Sequence, residues 1–172
     1  MATYKVIGIG QSGKFFDENS YQDAISYIAN PSKAAYVGGA GVTSIATAAQ
    51  EMAQTAALFG KTSGKKLRHS VLSFSENEAV TPEMANNFAQ KIIQYYTLEY
   101  QIVYAVHTNK KSPHIHFVMN HISFIDGHRY AGKKQDYYAF QKHMKQVTHM
   151  PILLSKDKVS EDITILQNGT KN

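Results

Sequence analysis

Val106-His107-Thr108-Asn109-Lys110-Lys111-Ser112-Pro113-His114-Ile115-His116-Phe117-Val118-Met119-Asn120 is the stretch on which the reading of this chain turns. Gln101 to Val106, which leads into it, and Ile115 to Ile122 are β-branched and aromatic runs, the composition of strands. Thr108 to Pro113 between them is polar and turn-rich, so the unit expected is a hairpin. If the loop closes symmetrically, His107 lies opposite His114, and residues directly opposite on antiparallel strands share a face with Cβ atoms about 4.5–5.5 Å apart. Side chains alternate along a strand, so His116 joins His114 on that face while Ile115, Phe117 and Met119 point to the other.

Three imidazoles then converge on one patch. A set of three histidines with an open position suits a catalytic divalent metal, which can polarise a phosphate oxygen or activate a water. Neutral ligands leave the metal charge uncompensated, which favours an anionic substrate. A single histidine here could be a polar residue on a wet sheet face; three in register crowd one another unless a metal or counter-charge is present.

Outward from the hairpin, the composition sets bounds. The chain has 172 residues, a single-domain length, with 43% hydrophobic and 18% charged residues, an ordinary globular balance. Lys and Arg outnumber Asp and Glu by 18 to 13, giving a formal charge of +5 that favours polyanionic partners. There is no cysteine, which excludes disulfides and thiolate metal sites. No apolar run approaches the roughly 20 residues of a membrane span, and the N-terminus lacks a signal-like pattern, so a cytoplasmic protein is expected.

In chain order, Tyr4 to Ile9 reads as a short strand of the same sheet. Ser20 with Asp23 resembles a capping box, opening a helix from Tyr21 to Ala29 that Pro31 ends, with Ala24, Ile25 and Ile28 as its apolar stripe. Tyr27 sits about 200° round from Ile25, on the flank shared with Asp23. Residues 36–42, rich in glycine, match no phosphate-cradle spacing and read as a flexible loop. An alanine-rich helix from Ser44 to Phe59 follows, then a basic loop from Lys61 to Lys66 and a strand from Leu67 to Phe74. Thr81 caps a helix with Pro82 at its first position and Met84, Phe88 and Ile92 along one side. The hairpin strand is expected to run on to Ile125, with Asp126-Gly127 as a tight turn, and a last helix opens near Lys133 and ends near Val147. Basic residues interleaved with aromatics there (Lys133, Lys134, Tyr137) suit single-stranded nucleic acid. The fold expected is α/β (α+β): a largely antiparallel sheet covered on one face by helices. Residues 1–150 form the domain and 151–172 a C-terminal tail.

His107, the His114-Ile115-His116 pair and the trailing Asn120 resemble the metal motif of the relaxase, or mobilisation nuclease, domain within the HUH endonucleases. Tyr27-Ile28 followed by Asn30-Pro31, the segment His69-Ser-Val-Leu-Ser-Phe74 and the Asp126-Gly127 turn extend the likeness over roughly residues 20–145. The resemblance implies a relaxase-like palm, Mg²⁺ or Mn²⁺ on His107, His114 and His116, and Tyr27 as nucleophile. It implies nicking of single-stranded DNA at a plasmid or mobile-element transfer origin, leaving a 5′-phosphotyrosine and a free 3′-OH that can be rejoined. Such a substrate carries an adjacent hairpin, accessory relaxosome proteins can assist, and a monomer is expected.

His69, Asn109 and Asn120 are assigned to support of the site, and Lys65, Lys66, Lys110, Lys111, Lys133 and Lys134 with Tyr137 to DNA contacts. Asn109 and Ser112 stand where family members often carry Asp and His; an amide can orient a ligand but is no base. Tyr21 competes as nucleophile but falls on the apolar stripe. Two rivals follow: a relaxase-like DNA-binding module without cleavage, and a phosphoesterase using histidines directly as acid and base, whose paired His-x-Thr/Ser motifs are missing here.

Overall fold

The structure, a computed structural model, describes residues 1–155. Its strands are β1 (Ala2–Val6), β2 (Ala34–Ala40), β3 (Leu67–Ser73), β4 (Ile102–His107), β5 (His114–Asn120) and β6 (Ile152–Ser155). They form one sheet in the order β2-β4-β5-β3-β1-β6, antiparallel throughout except that β6 runs parallel to β1. The helices are α1 (Ser20–Ile28), α2 (Ile45–Leu58), α3 (Pro82–Ile92) and α4 (Lys134–Thr148). Four residues assigned to the tail by sequence thus belong to the sheet, and the remainder of that tail, 156–172, lies outside the described residues.

The hairpin forms as expected, with His107 paired to His114 across its mouth. Helices cover both faces of the sheet, however, and not one. Ile115, Phe117 and Met119 pack with Tyr104, Ala89, Phe140 and Met144 under α3 and α4. On the other side Val103, Ala105 and Val118 pack with Ile25, Ile28 and Met52 under α1 and α2. The unbroken apolar run of β4 is the sign of a strand buried on both sides. The end of α1 reaches the strand ends that carry the histidines, and the three rings are buried beneath it.

Several local expectations shift. Residues 36–42 do not form a loop; most belong to edge strand β2, paired along β4. Gly38 serves close approach there, because a Cβ on it would lie 2.6 Å from the Tyr104 hydroxyl oxygen. Ser20 is not a cap: it is the first helical residue and buried, and the Asp23 N–H is met by the Asn19 carbonyl at 2.9 Å. The buried side of α3 is Ala85, Ala89 and Ile92, with Met84 exposed, because small residues let this helix sit close to the sheet. β5 ends at Asn120, and residues 121–131 continue through a single bridge, Ile122 to Arg129, around the Asp126-Gly127 turn.

Candidate metal centre

His107 closes β4 and His114 opens β5, so pairing brings the two rings together, and alternation adds His116. Ring centroids lie 4.1 Å apart for His107 and His116, 5.1 Å for His107 and His114, and 5.1 Å for His114 and His116. One ring nitrogen from each lies within 4.8 Å of the other two, a set that could hold a metal ion.

Each ring has an outer partner. His107 Nε2 donates to the Ile28 carbonyl at 2.7 Å; a carbonyl can only accept, so Nδ1 of this ring is left with its lone pair. The His114 ring is bonded to the Ser112 backbone. His116 Nδ1 and His69 Nε2 share a hydrogen bond of 2.8 Å. Metal-binding histidines are held in this way, through the nitrogen that does not ligate. Burial holds the His107 ring below the ordinary histidine range. Burial, then the neighbouring imidazole of His107, pushes His114 down to about 4 and His116 to about 2. Burial, then Lys14, takes His69 to about 4. At neutral pH all four rings are therefore uncharged and have lone pairs to offer, and the donor set fits a divalent cation.

Tyr27, in the last turn of α1, hangs over this patch. It is 50% exposed, and its ring centroid lies 5.9 Å from that of His116, 6.0 Å from His69 and 6.3 Å from His107. The Lys33 ammonium sits 4.6 Å from the same ring. Tyr21 is 3% exposed and donates its hydroxyl proton to Asn120 Oδ1 at 2.8 Å, so it anchors α1 and does not face the patch. The Asn120 amide also donates to the Met52 carbonyl and to Gln101, which ties α1, α2 and β4 to β5 and fixes where Tyr27 stands. Two cavities meet at Tyr27: one of 240 Å³ with the three histidines, Lys5, Lys33 and Lys110, and one of 350 Å³ with His69, Lys14, Phe15 and Asp23.

The other sequence-assigned residues scatter. Asn109 lines the smaller cavity but makes no side-chain hydrogen bond among the described residues; the Ile28 and Ser112 backbone and His69 orient the rings instead. Lys110 lies beside His114, and the exposed Lys111 pairs with Glu76 at 3.8 Å. Lys66 is buried, its ammonium donating to the Thr62 carbonyl at 2.6 Å, so no phosphate reaches it without rearrangement. Lys133 is the cap residue of α4. Lys65, Lys134 and Tyr137 line a separate cavity. Sequence reasoning missed Lys33 and the backbone of Ile28, which carry no local signature beyond lying just before and after Asn30-Pro31.

The family described as Relaxase: MobA/VirD2-like, nuclease domain matches residues 27–150. Among curated proteins, two named Protein rlx from Staphylococcus aureus are similar. One is 28% identical over 108 residues, which is 63% of this chain and 33% of that protein; the other is 32% identical over 82 residues, 48% and 26%. The group II intron-interrupted relaxase LtrB of Lactococcus lactis subsp. cremoris (strain MG1363) is 29% identical over 154 residues, 73% of this chain and 26% of that protein. The matches thus span between a quarter and a third of the length of these relatives.

Proposed function

We propose, because this chain belongs to the relaxase family with a MobA/VirD2-like nuclease domain, that it nicks single-stranded DNA at the transfer origin of a plasmid or mobile element with Tyr27 as nucleophile. The observation that carries the reading is the exposed phenol of Tyr27 beside three neutral imidazoles whose other nitrogens are already engaged. His107, through Nδ1, with His114 and His116 would hold Mn²⁺ or Mg²⁺. A divalent ion there supplies positive charge against the phosphate oxygens, where charge builds during transfer.

The chain's own residues do the rest. The Tyr27 oxygen attacks the phosphorus of one phosphodiester, forming the O–P bond as the bond from phosphorus to the 3′ oxygen breaks; the phenol proton leaves and the 3′ oxygen gains one. The product is a 5′-phosphotyrosine with a free 3′-OH, and the reverse attack rejoins the strand, since the bond energy is conserved in the adduct. Lys5, Lys33 and Lys110 line the approach as phosphate contacts, and Lys33 also packs on the Tyr27 ring. Asp23 stands one helical turn before Tyr27 and is, among the described residues, the only carboxylate lining either cavity, which makes it the group we assign to receive the phenol proton.

The test is incubation with origin single strands carrying a hairpin, in Mn²⁺ and again after exhaustive chelation. Cleavage and an adduct with Mn²⁺ alone support the nuclease. Tight binding with no adduct supports the cleavage-free module, which Asn109 in place of Asp favours. Full activity after chelation would remove the metal from the account.

A further inference from the structure

On the sheet face opposite the imidazoles, a cavity of 410 Å³ opens between the end of β1, the chain that follows it, the segment 129–132 and the start of α4. Strand alternation sets it apart from the metal centre: His69 reaches His116, while its neighbour Arg68 turns to the tyrosines of the other side. Lys65, Arg68, Arg129 and Lys134 line this cavity, and among the described residues no carboxylate does.

The cavity is built from buried polar groups that are not fully satisfied. Arg68 is 7% exposed and His121 8%, yet Arg68 Nε and His121 Nδ1 have no hydrogen-bond partner among the described residues. A buried donor or acceptor left unpaired is costly, most of all on a charged group, so such atoms point to a missing partner. The rest of Arg68 is held firmly: its guanidinium carbon lies 4.8 Å from the Tyr96 ring centroid and 4.9 Å from that of Tyr130, and Nη1 donates to the Tyr130 hydroxyl at 2.6 Å. Arg129 is aimed, among the described residues, by the carbonyls of Lys65 and of Ser63, the latter at 2.7 Å. Neither arginine makes a salt bridge with a carboxylate among the described residues. Packing against rings accounts for the place of Arg68, but not for its unpartnered Nε or for three more cations on the same wall.

An anionic ligand with a flat apolar part meets these features. Guanidinium and ammonium donors match phosphate oxygens, and Tyr137 with Val6 and Ile9 offers an apolar wall to a base. We propose that this cavity is a nucleotide site separate from the metal centre, with the phosphate against the Arg68 guanidinium, Arg129 and Lys134 and the base against Tyr137. Ile7 lines the cavities beside Tyr27 and Ile9 lines this one, so the two places meet along the chain leaving β1. The nucleotide is either one unit of the DNA strand, in which case the site rests on and extends the nicking reading, or a free mononucleotide, in which case it stands alone.

The chain contains no Trp, so Tyr137→Trp places a single reporter in the cavity. With EDTA present throughout, so that cleavage plays no part, its fluorescence is titrated with dTMP, with thymidine and with dTMP in the Lys134→Gln background. A saturable response to dTMP is expected, weaker by about tenfold for thymidine and by about tenfold for Lys134→Gln, the loss of one charge-assisted contact. Displacement of dTMP by an unlabelled single strand assigns the site to the DNA; dTMP that a bound strand leaves in place assigns it to a free nucleotide, and both support the site. Broadening of the dTMP phosphorus signal by the unsubstituted chain checks the same binding without the new side chain. No saturable binding in either measurement, or thymidine binding as tightly as dTMP, overturns the proposal, whatever Tyr27 proves to do.

Discussion

Two tyrosines six residues apart on α1 face opposite ways, and replacing each with phenylalanine separates chemistry from packing. Tyr21→Phe deletes a hydroxyl that is buried and bonded at 2.8 Å to Asn120 Oδ1. That oxygen still accepts the Ile122 N–H at 3.1 Å, so no acceptor is orphaned and the cost is one ordinary hydrogen bond, about 1 kcal/mol. For a chain of this size the melting temperature falls by about 3 °C. Tyr27→Phe removes a hydroxyl from a half-exposed ring that keeps its contacts with Lys33 and the imidazoles, so stability changes by less than about 0.5 kcal/mol. The covalent product behaves in the opposite sense. A 5′-phosphotyrosine leaves the protein on the 3′ fragment, so a 3′-labelled strand run on a denaturing gel reads the adduct directly. Tyr21→Phe retains the adduct and Tyr27→Phe abolishes it while melting like the parent. An adduct that survives Tyr27→Phe, or that disappears in a folded Tyr21→Phe, would refute the assignment of the nucleophile.

Other outcomes follow from the same geometry. His69→Phe takes from His116 the partner that fixes its ring, and Mn²⁺ affinity measured by calorimetry is expected to fall about 10- to 100-fold with the fold intact by circular dichroism; an unchanged affinity contradicts the supporting role. His69 and His114 are both held near 4 by burial, below the ordinary 6.5 that the unfolded chain recovers, so their contribution is present above pH 6.5 and is lost as pH falls toward 4. Each costs about 1.4 kcal/mol per pH unit across that window, read as a melting temperature that drops on acidification without metal; a flat profile from pH 7 to 5 counts against buried neutral rings. Gly127→Ala puts a Cβ 2.4 Å from Phe59 Cγ at φ +75°, and a loss of about 2 kcal/mol in a denaturant melt is expected; no loss means the turn yields freely.

The hairpin was legible because its signal is local. A polar turn sets the pairing of His107 with His114, and a period of two places His116, so three residues carry the geometry without reference to the rest of the chain. Tyr27 was legible only as a residue off the apolar stripe; that it overhangs the imidazoles depends on α1 lying across β5, which Tyr21 and Asn120 fix over 99 residues of separation. Edge strand β2 was hidden because glycine signals freedom in a sequence, whereas Gly38 lies where the Tyr104 ring leaves no room for a side chain. The buried Lys66 shows the same limit for charge: a run of lysines reads as a basic surface until a backbone carbonyl claims one of them. Arg68 has no such local sign: His69 marks the face of β3 that meets His116, and alternation puts the arginine's chemistry on the far side.

The proposed nicking depends on one place where a divalent ion and a phenol would share a phosphate. Paramagnetic broadening tests it without DNA: Mn²⁺ is titrated into the chain and the ring resonances of histidines and tyrosines are followed. At one equivalent, the signals of His107, His114, His116 and Tyr27 should vanish together while that of His128, which bonds Tyr100 beyond the opposite end of β4, stays sharp. Broadening centred instead on the exposed Asp126–His128 pair, with the hairpin rings unaffected, would contradict it.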